Sequence, residues 1–288
     1  MFRTISRSWE LVKTSFSVLR QDKEMLIFPV LSMIGLALVS IAFIVPAALA
    51  GLFEGVASDS ESINPFLVVV AFLYYVVTYY ITIFANAAVV GAAMMRLRGE
   101  DPTVSDAFNI AMSRAGKILG WAVIAATVGM ILRAIEERAE GIGRIVVSLV
   151  GVAWNVATFL VVPVLVVENV GAIDAIKRSG SLLRQTWGEQ IAGSFGVGII
   201  FFLLFLAGGI PLILLTIGLG AIAPAAAIIG IILIVLYALA LSAVGTAISG
   251  IYTAALYAYA TEPQVENMYF DQDLLNDAFH QKGSRGNF

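Results

Sequence analysis

The chain has 288 residues, of which 60% are hydrophobic and only 13% are charged, and its formal net charge is −3. An average soluble domain carries about 25% charged residues, so a chain this apolar could not cover a soluble surface. Its near-neutral balance gives no field that would attract nucleic acid. The sequence has no cysteine, which excludes disulfides and thiolate metal sites, and its one histidine, His280, lies in the polar C-terminal tail.

Six apolar stretches predict an all-α membrane protein, because about 20 apolar residues cross the hydrocarbon core as a helix. Roughly 25 mixed residues precede the first stretch, unlike a cleavable signal peptide, so we expect this stretch to remain in the mature protein. The third stretch is short but can extend through Lys117 and Arg133, whose long stems reach the interface. A tight reversal is expected at Gly218–Ala223. The predicted spans are Leu26–Phe53, Pro65–Met95, Ile118–Leu132, Ile145–Val167, Ile191–Ile217 and Pro224–Ala260.

The basic residues predict the orientation of these spans. With six spans, the N-terminal segment, the loops near residues 96–117 and 168–189, and the C-terminal tail share one side and hold most of the 17 Lys and Arg residues. The other side holds only Arg133, Arg138 and Arg144. By the positive-inside rule, we expect a multi-pass protein of the cell membrane with both termini in the cytoplasm.

Short motifs predict three copies of one unit, an amphipathic cytoplasmic helix followed by a transmembrane hairpin. The segments Ile5–Phe16 and Ile176–Trp187 share the pattern Ile-x-Arg-Ser-x-x-Leu-aliphatic-basic-x-hydroxyl-aromatic. An acidic residue, Glu100 or Glu168, also stands six residues before an Asp-Ala-hydrophobic triplet. The predicted units cover residues 1–99, 100–167 and 168–262 of one membrane domain, 1–262, which a polar acidic cytoplasmic tail, 263–288, follows.

Each predicted unit begins with an apolar stripe at helical spacing, and Thr103 could cap the second of these helices. A basic helix with an aromatic-bearing apolar face lies naturally in the headgroup plane of a membrane. Arg7, Lys13, Arg178 and Arg184 are therefore candidate residues for binding lipid headgroups. The alternative is that these helices only pack against the bundle. The predicted stripes are Ile5, Trp9, Val12, Phe16 and Leu19, then Val104, Phe108, Ala111 and Ala115, and finally Ile173, Ile176, Leu183 and Trp187.

Few polar residues fall within or beside the predicted spans. Asn86 and Asn155 could line a polar path, or each could make a hydrogen bond between helices. The carboxylates Glu100 and Glu168 lie at the ends of spans, where an ion pair of Glu168 with a base of the following helix is the favoured interpretation. A break in span five near Pro211, beside Gly208 and Gly209, would suit a transporter.

No motif for catalysis stands out in the sequence. It has no HExxH, no Walker lysine loop, no GxSxG and no paired carboxylates within a span. We therefore expect a protein that is not an enzyme and that holds no metal ion and no cofactor.

The segments Pro163–Glu168 and Asp174–Ser179, with Trp187, resemble the signature of a broad group of uncharacterised six-helix membrane proteins. The group includes the membrane domain attached to some glycerophosphodiester phosphodiesterases. Arg7–Trp9 through Phe28-Pro29 resembles the start of the stand-alone members. The resemblance implies a membrane module of unassigned activity. It carries over no catalytic residue, since hydrolysis in the phosphodiesterases belongs to a separate soluble domain.

Two hypotheses for function follow. The first is a non-enzymatic membrane module that organises lipid or acts as a scaffold, with membrane lipids, protein partners or further copies of itself as partners and no nucleic acid. The second is a transporter or channel for a small neutral or apolar solute. A continuous polar cavity between spans two, four and five would favour transport, and a tightly packed bundle would favour the module. We further expect the acidic tail to dock against the basic helices, since its charge is opposite to theirs and Met268, Leu275 and Phe279 approach helical spacing. The alternative is a frayed terminus.

Overall fold

The computed structural model describes residues 2–52, 65–187, 196–222 and 224–261. These ranges form α-helices and one 3₁₀ turn, Lys23–Leu26, with no β-strand among them. The predicted all-α class is therefore confirmed. In chain order the helices are α1 (Phe2–Gln21), α2 (Ile27–Leu49), α3 (Pro65–Leu97), α4 (Val104–Ser113), α5 (Ala115–Arg138), α6 (Ile142–Ala157), α7 (Val161–Val167), α8 (Ala172–Trp187), α9 (Gly196–Ile222) and α10 (Pro224–Thr261).

Six of these segments are long and apolar enough to cross a membrane, as far as the described residues go. They are α2 with its 3₁₀ turn, α3, α5, α6 together with α7, α9, and α10. The six predicted spans are thus confirmed as membrane-spanning candidates. The expected extension of span three through Lys117 and Arg133 is also confirmed, because α5 includes both residues.

The reversal between the last two spans is shorter than the sequence suggested. Helix α9 continues to Ile222 and α10 begins at Pro224, so the glycines at 218 and 220 are helical. Pro211 also lies inside α9, so the break that it could have caused is absent. A proline can remain inside a membrane helix where neighbouring helices, Ser or Thr side chains and local adjustments satisfy the backbone groups that it frees. Proline at the first position of α10 loses no helical hydrogen bond.

The interruption occurs in span four instead. Helix α6 ends at Ala157 and α7 begins at Val161. Pro163 explains the break, because its ring has no N–H and collides with the carbonyl four residues earlier in a continuous helix. The hydroxyl of Ser179, on α8, donates to the Ala157 carbonyl at 2.7 Å and accepts from the Leu160 N–H at 3.1 Å. One buried serine therefore satisfies a backbone group on each side of the break.

The contacts between Cα atoms divide the chain into two compact units. The first comprises residues 1–26, 93–102 and 185–288, and the second comprises 27–92 and 103–184. In the first unit, α1 packs on α9 and α10, and Arg96 donates hydrogen bonds to Asp22 and Asp101. The predicted division into three repeats stays a prediction, as does the acidic tail, which lies outside the described residues.

The helices α9 and α10 of the first unit form a long antiparallel hairpin. Glycines provide its close contacts: Gly208 faces Tyr237, Gly230 faces Thr216, and Gly245 faces Phe201. Helix α10 is 38 residues long. Its large apolar side chains are exposed from Ile228 to Leu239, whereas the stretch 251–259 is entirely buried. The N-terminal half of α10 is thus exposed, and its C-terminal part is packed inside the protein.

The second unit contains spans one to four except residues 23–26 and 93–97. The hydroxyls of Ser40 on α2 and Tyr74 on α3 are 2.9 Å apart and hydrogen-bonded. A Cβ at Gly91 of α3 would lie 2.8 Å from Ile110 of α4, so these two helices approach closely. The predicted cap of α4 is confirmed: Thr103 Oγ1 accepts from the Asp106 N–H at 3.2 Å, and Asp106 accepts from the Thr103 N–H at 3.0 Å. This reciprocal pair is a capping box.

The apolar stripes predicted for the amphipathic helices are partly wrong. In α1 the buried residues are Val12, Ser15, Val18 and Leu19, whereas Trp9 is 52% and Phe16 is 44% exposed. In α8 the buried face carries Ala175, Ser179, Leu182 and Leu183, and Ile173 is exposed. Small residues let helices approach closely, and a large apolar side chain loses little by facing a membrane instead. The buried faces of both helices combine small residues with valine or leucine, and Trp9, Phe16 and Ile173 lie outside them.

Candidate functional site

A cavity of about 490 Å³ lies between α3, α5 and α6 of the second unit. Successive turns of α5 contribute to one wall, because residues four apart share a face of a helix. The opposite wall comes from one face of α6, and α3 contributes a single tyrosine. The lining residues are Tyr79, Trp121, Ala125, Gly129, Leu132, Arg133, Glu136, Gly151, Trp154, Asn155 and Thr158.

Small residues keep this space open. A Cβ at Gly129 would lie 3.3 Å from the Tyr79 hydroxyl, so the missing side chain makes room for that tyrosine. A Cβ at Gly151 would have no neighbouring atom within 4 Å. Arg133, Glu136 and Asn155 of the lining are exposed, so the cavity opens to the surroundings of the protein.

One end of the cavity is aromatic. The rings of Trp121 and Trp154 are 5.9 Å apart between centroids and inclined at 35°, within the range of favourable aromatic pairs. Trp121 is almost fully buried. Thr158, at the start of the break in span four, donates to the Trp154 carbonyl at 2.8 Å. The aromatic end is therefore built directly beside the interrupted helix.

The other end is charged. Arg133 Nε donates to Glu137 at 3.0 Å, and its Nη1 donates to the Tyr75 hydroxyl at 2.9 Å. Glu136 also lines the cavity at this end. The Arg133–Glu137 pair is solvent-exposed, so it contributes little stability. Twelve residues separate Trp121 from Arg133, or about 18 Å along the helix. The lining thus changes from apolar to charged over a length comparable with half a bilayer.

The polar residues predicted within or beside the spans lie in different environments, and only one of them lines the cavity. Asn155 lines the cavity, whereas Asn86, on α3, is half-buried and is not among the lining residues. Glu168 accepts a hydrogen bond from Arg178 Nε at 2.8 Å, which is the ion pair expected at that junction. Glu100 is exposed at the end of α3.

The four bases suggested for lipid headgroups are not brought together within one unit. Lys13 is exposed on α1 in the first unit, and Arg184 is exposed on α8 in the second. Arg178, also in the second unit, is engaged with Glu168. The side chain of Arg7 lies outside the described residues. A role in binding headgroups stays a prediction for all four.

Of the residues that line the cavity, the sequence indicated only Asn155 as a polar group of a possible path. It gave no sign of Trp121 and Trp154, and Arg133 was predicted only to anchor its span at the interface. A signal did exist: Gly129 and Arg133 are four residues apart, as are Gly151 and Asn155, so each pair shares a helix face. That these two faces oppose each other depends on packing between helices, which no local pattern contains.

The sequence model of a family of unknown function, DUF6159, matches residues 66–266. The chain belongs to this family. No curated protein and no solved structure matches the chain. The DUF6159 match includes every residue that lines the cavity and begins after α1. The resemblance to the membrane domain of glycerophosphodiester phosphodiesterases finds no support in these comparisons.

Proposed function

We propose that this chain is a non-enzymatic membrane module that binds one amphipathic molecule, a membrane lipid, in the cavity between α3, α5 and α6. The observation that carries the proposal is the gradient of its lining, from the paired rings of Trp121 and Trp154 to the charges of Arg133 and Glu136. Binding sites for small molecules are mostly apolar, with a few placed polar groups. A lipid has the matching polarity, with its apolar chain toward the tryptophans.

The charged end suits a headgroup that carries both signs. Arg133 offers guanidinium donors to a phosphate, and Glu136 offers an acceptor to an ammonium group. Among the described lining residues, no hydroxyl is paired with a base as a nucleophile would require. The lining therefore favours binding over hydrolysis. We place the module in the cell membrane, with both termini on the cytoplasmic side.

Filling the cavity tests this proposal. Gly151→Leu should project its side chain into the open space and reduce the phosphatidylethanolamine retained by the purified protein in native mass spectrometry. Gly218→Leu is the matched control, because a Cβ there also meets no atom within 4 Å and the residue lies on α9, outside the cavity. Equal lipid retention in both variants and in the wild-type protein would exclude the cavity as the binding site.

A second candidate function is transport of a small neutral solute. The observation in its favour is the break in span four, since Thr158 both lines the cavity and starts the interruption. Interrupted helices commonly form the substrate sites of transporters. Asn155 adds an uncharged polar group on the same wall. The cavity lies between spans two, three and four, rather than between spans two, four and five as a transport path was expected to.

Solute flux separates the two candidates. In proteoliposomes challenged with hyperosmotic glycerol, a transporter of small neutral solutes would speed the recovery of vesicle volume relative to protein-free vesicles. The lipid module would leave the recovery rate unchanged. If glycerol flux rose and Gly151→Leu abolished it, transport would replace lipid binding as the function of the cavity.

A further inference from the structure

Helix α1 carries a second feature that the cavity does not involve. Its exposed side includes Trp9, Lys13, Phe16 and Arg20. These residues follow the spacing i, i+4, i+7 and i+11, which places them within an arc of about 60° on a helix of 3.6 residues per turn. Two aromatic and two basic side chains therefore alternate along one stripe, which we call the α1 stripe.

The α1 stripe lies on the exposed side of α1, away from its contacts with α9 and α10. The other side of α1 buries Val12, Ser15, Val18 and Leu19, and this side packs on α9 and α10 within the first unit. Burying the helix by its opposite face fixes its rotation. Val12, Ser15, Val18 and Leu19 form the packed side of the helix, so Trp9 and Phe16 remain on its exposed side.

The C-terminal end of α1 lies beside the ends of two candidate membrane spans. Asp22 follows α1 directly, and the first span begins at Lys23. Arg96, in the last turn of α3, donates to Asp22 in the first unit. The end of α1 is therefore fixed at the level where one span starts and another finishes. A helix at that level borders the lipid headgroups.

We propose that the α1 stripe is a docking surface for anionic lipid headgroups at the membrane surface. Tryptophan prefers the headgroup level of a bilayer, where its amphipathic ring is stabilised. Lys13 and Arg20 extend along the same line and can reach phosphates while Trp9 and Phe16 enter the acyl boundary. The occupant is assigned by charge complementarity. The α1 stripe shares only the class of ligand with the cavity, and neither proposal needs the other.

The test uses the full chain in mixed micelles with phosphatidylcholine. Because the sequence has no cysteine, Ser17→Cys gives a single site beside the stripe for an environment-sensitive dye. Adding phosphatidylglycerol should shift the dye emission to the blue. Lys13→Gln with Arg20→Gln should weaken the apparent affinity for phosphatidylglycerol roughly 30-fold, since each base near an anionic surface contributes roughly a fivefold step. Lys13→Arg with Arg20→Lys should retain the affinity.

The control removes two positive charges from a part of the chain outside the α1 stripe. Arg138→Gln with Arg144→Gln changes two exposed bases at the α5–α6 connection and should leave the affinity unchanged. An unaltered affinity after Lys13→Gln with Arg20→Gln would overturn the proposal, and so would equal dye shifts with phosphatidylcholine and phosphatidylglycerol. Lipid retention in the cavity is measured separately through Gly151→Leu, so the two proposals can fail independently.

Discussion

Ser179 shows how a single hydroxyl can hold an interrupted membrane helix. It accepts from the Leu160 N–H and donates to the Ala157 carbonyl across the break in span four. The residue is fully buried, so water offers no replacement partner. In the sequence it stood out only as part of a repeat motif, Arg178-Ser179. The break itself was not predicted, and the hydroxyl that stabilises it lies on the next helix of the chain, α8.

Removal of the Ser179 hydroxyl should destabilise the protein. Ser179→Ala leaves two backbone groups without their partner, and an unsatisfied buried group costs about 1–3 kcal/mol. We expect a loss of about 2 kcal/mol in the free energy of unfolding, measured by denaturant titration in detergent. Ser148→Ala, at an exposed serine of the same span, is the control and should change little. Equal stability of the two variants would show that the bridge contributes nothing.

Asp106 offers a prediction about protonation. The Thr103 hydroxyl, at 2.6 Å, and the Thr103 N–H both donate to its carboxylate and hold the pKa of Asp106 below its ordinary value. A lowered pKa in the folded state means that the cap stabilises α4 at pH values above the ordinary pKa. This stabilisation is lost as the pH falls through the lowered pKa.

The Thr103 hydroxyl is the larger cause of this shift, which makes the pKa directly testable. Thr103→Val should raise the pKa of Asp106 toward its ordinary value, whereas Thr103→Ser should keep it low. Carboxyl carbon shifts followed by NMR through an acid titration give the measurement. Identical titration curves for the two variants would refute the role of the hydroxyl.

At the scale of elements, the close packing of α9 against α10 depends on glycines, because each leaves room for a larger side chain of the other helix. A side chain at Gly208 would collide with Tyr237, whose hydroxyl donates to the Leu204 carbonyl at 2.6 Å. The sequence predicted both helices and nearly their full lengths. It did not predict which of the glycines in α9 matter, because this depends on the register between two antiparallel helices.

The neighbouring glycines in α9 give a matched pair of variants. Gly208→Ala should displace Tyr237 and reduce the free energy of unfolding by about 1–3 kcal/mol, the usual result of overpacking. Gly209→Ala should be nearly neutral, because no atom lies within 4 Å of its added Cβ. Thermal unfolding of both variants in the same detergent provides the comparison. A larger loss at Gly209 than at Gly208 would mean that the hairpin has a different register.

For the whole molecule, composition and apolar length predicted most of the architecture. The six spans follow from hydrophobicity alone, since the membrane requires long apolar helices. The cavity and the outward-facing α1 stripe did not follow, because both depend on the rotation of each helix about its axis. Trp9 illustrates the limit: its spacing matched the same apolar stripe as Val12 and Leu19, yet Trp9 is exposed whereas those two residues are buried.

The orientation in the membrane stays a prediction that two fusions can check. A reporter active only in the cytoplasm should function when fused after Phe288 and should be silent when inserted within residues 58–64. The physical reason is the excess of Lys and Arg in the loops placed on the cytoplasmic side. An active loop fusion together with a silent C-terminal fusion would invert the topology.

The length of α10 has a consequence for the bilayer around it. Its 38 residues extend about 57 Å as a helix, nearly twice the roughly 30 Å of hydrocarbon in a typical membrane. Only the half that carries Ile228 to Leu239 exposes large apolar side chains along its surface. That half alone, from Pro224 onward, matches the hydrocarbon thickness. In a thinner membrane its apolar surface would meet water unless the helix tilted or the surrounding lipid stretched, so bilayer thickness itself becomes a variable to which this hairpin responds.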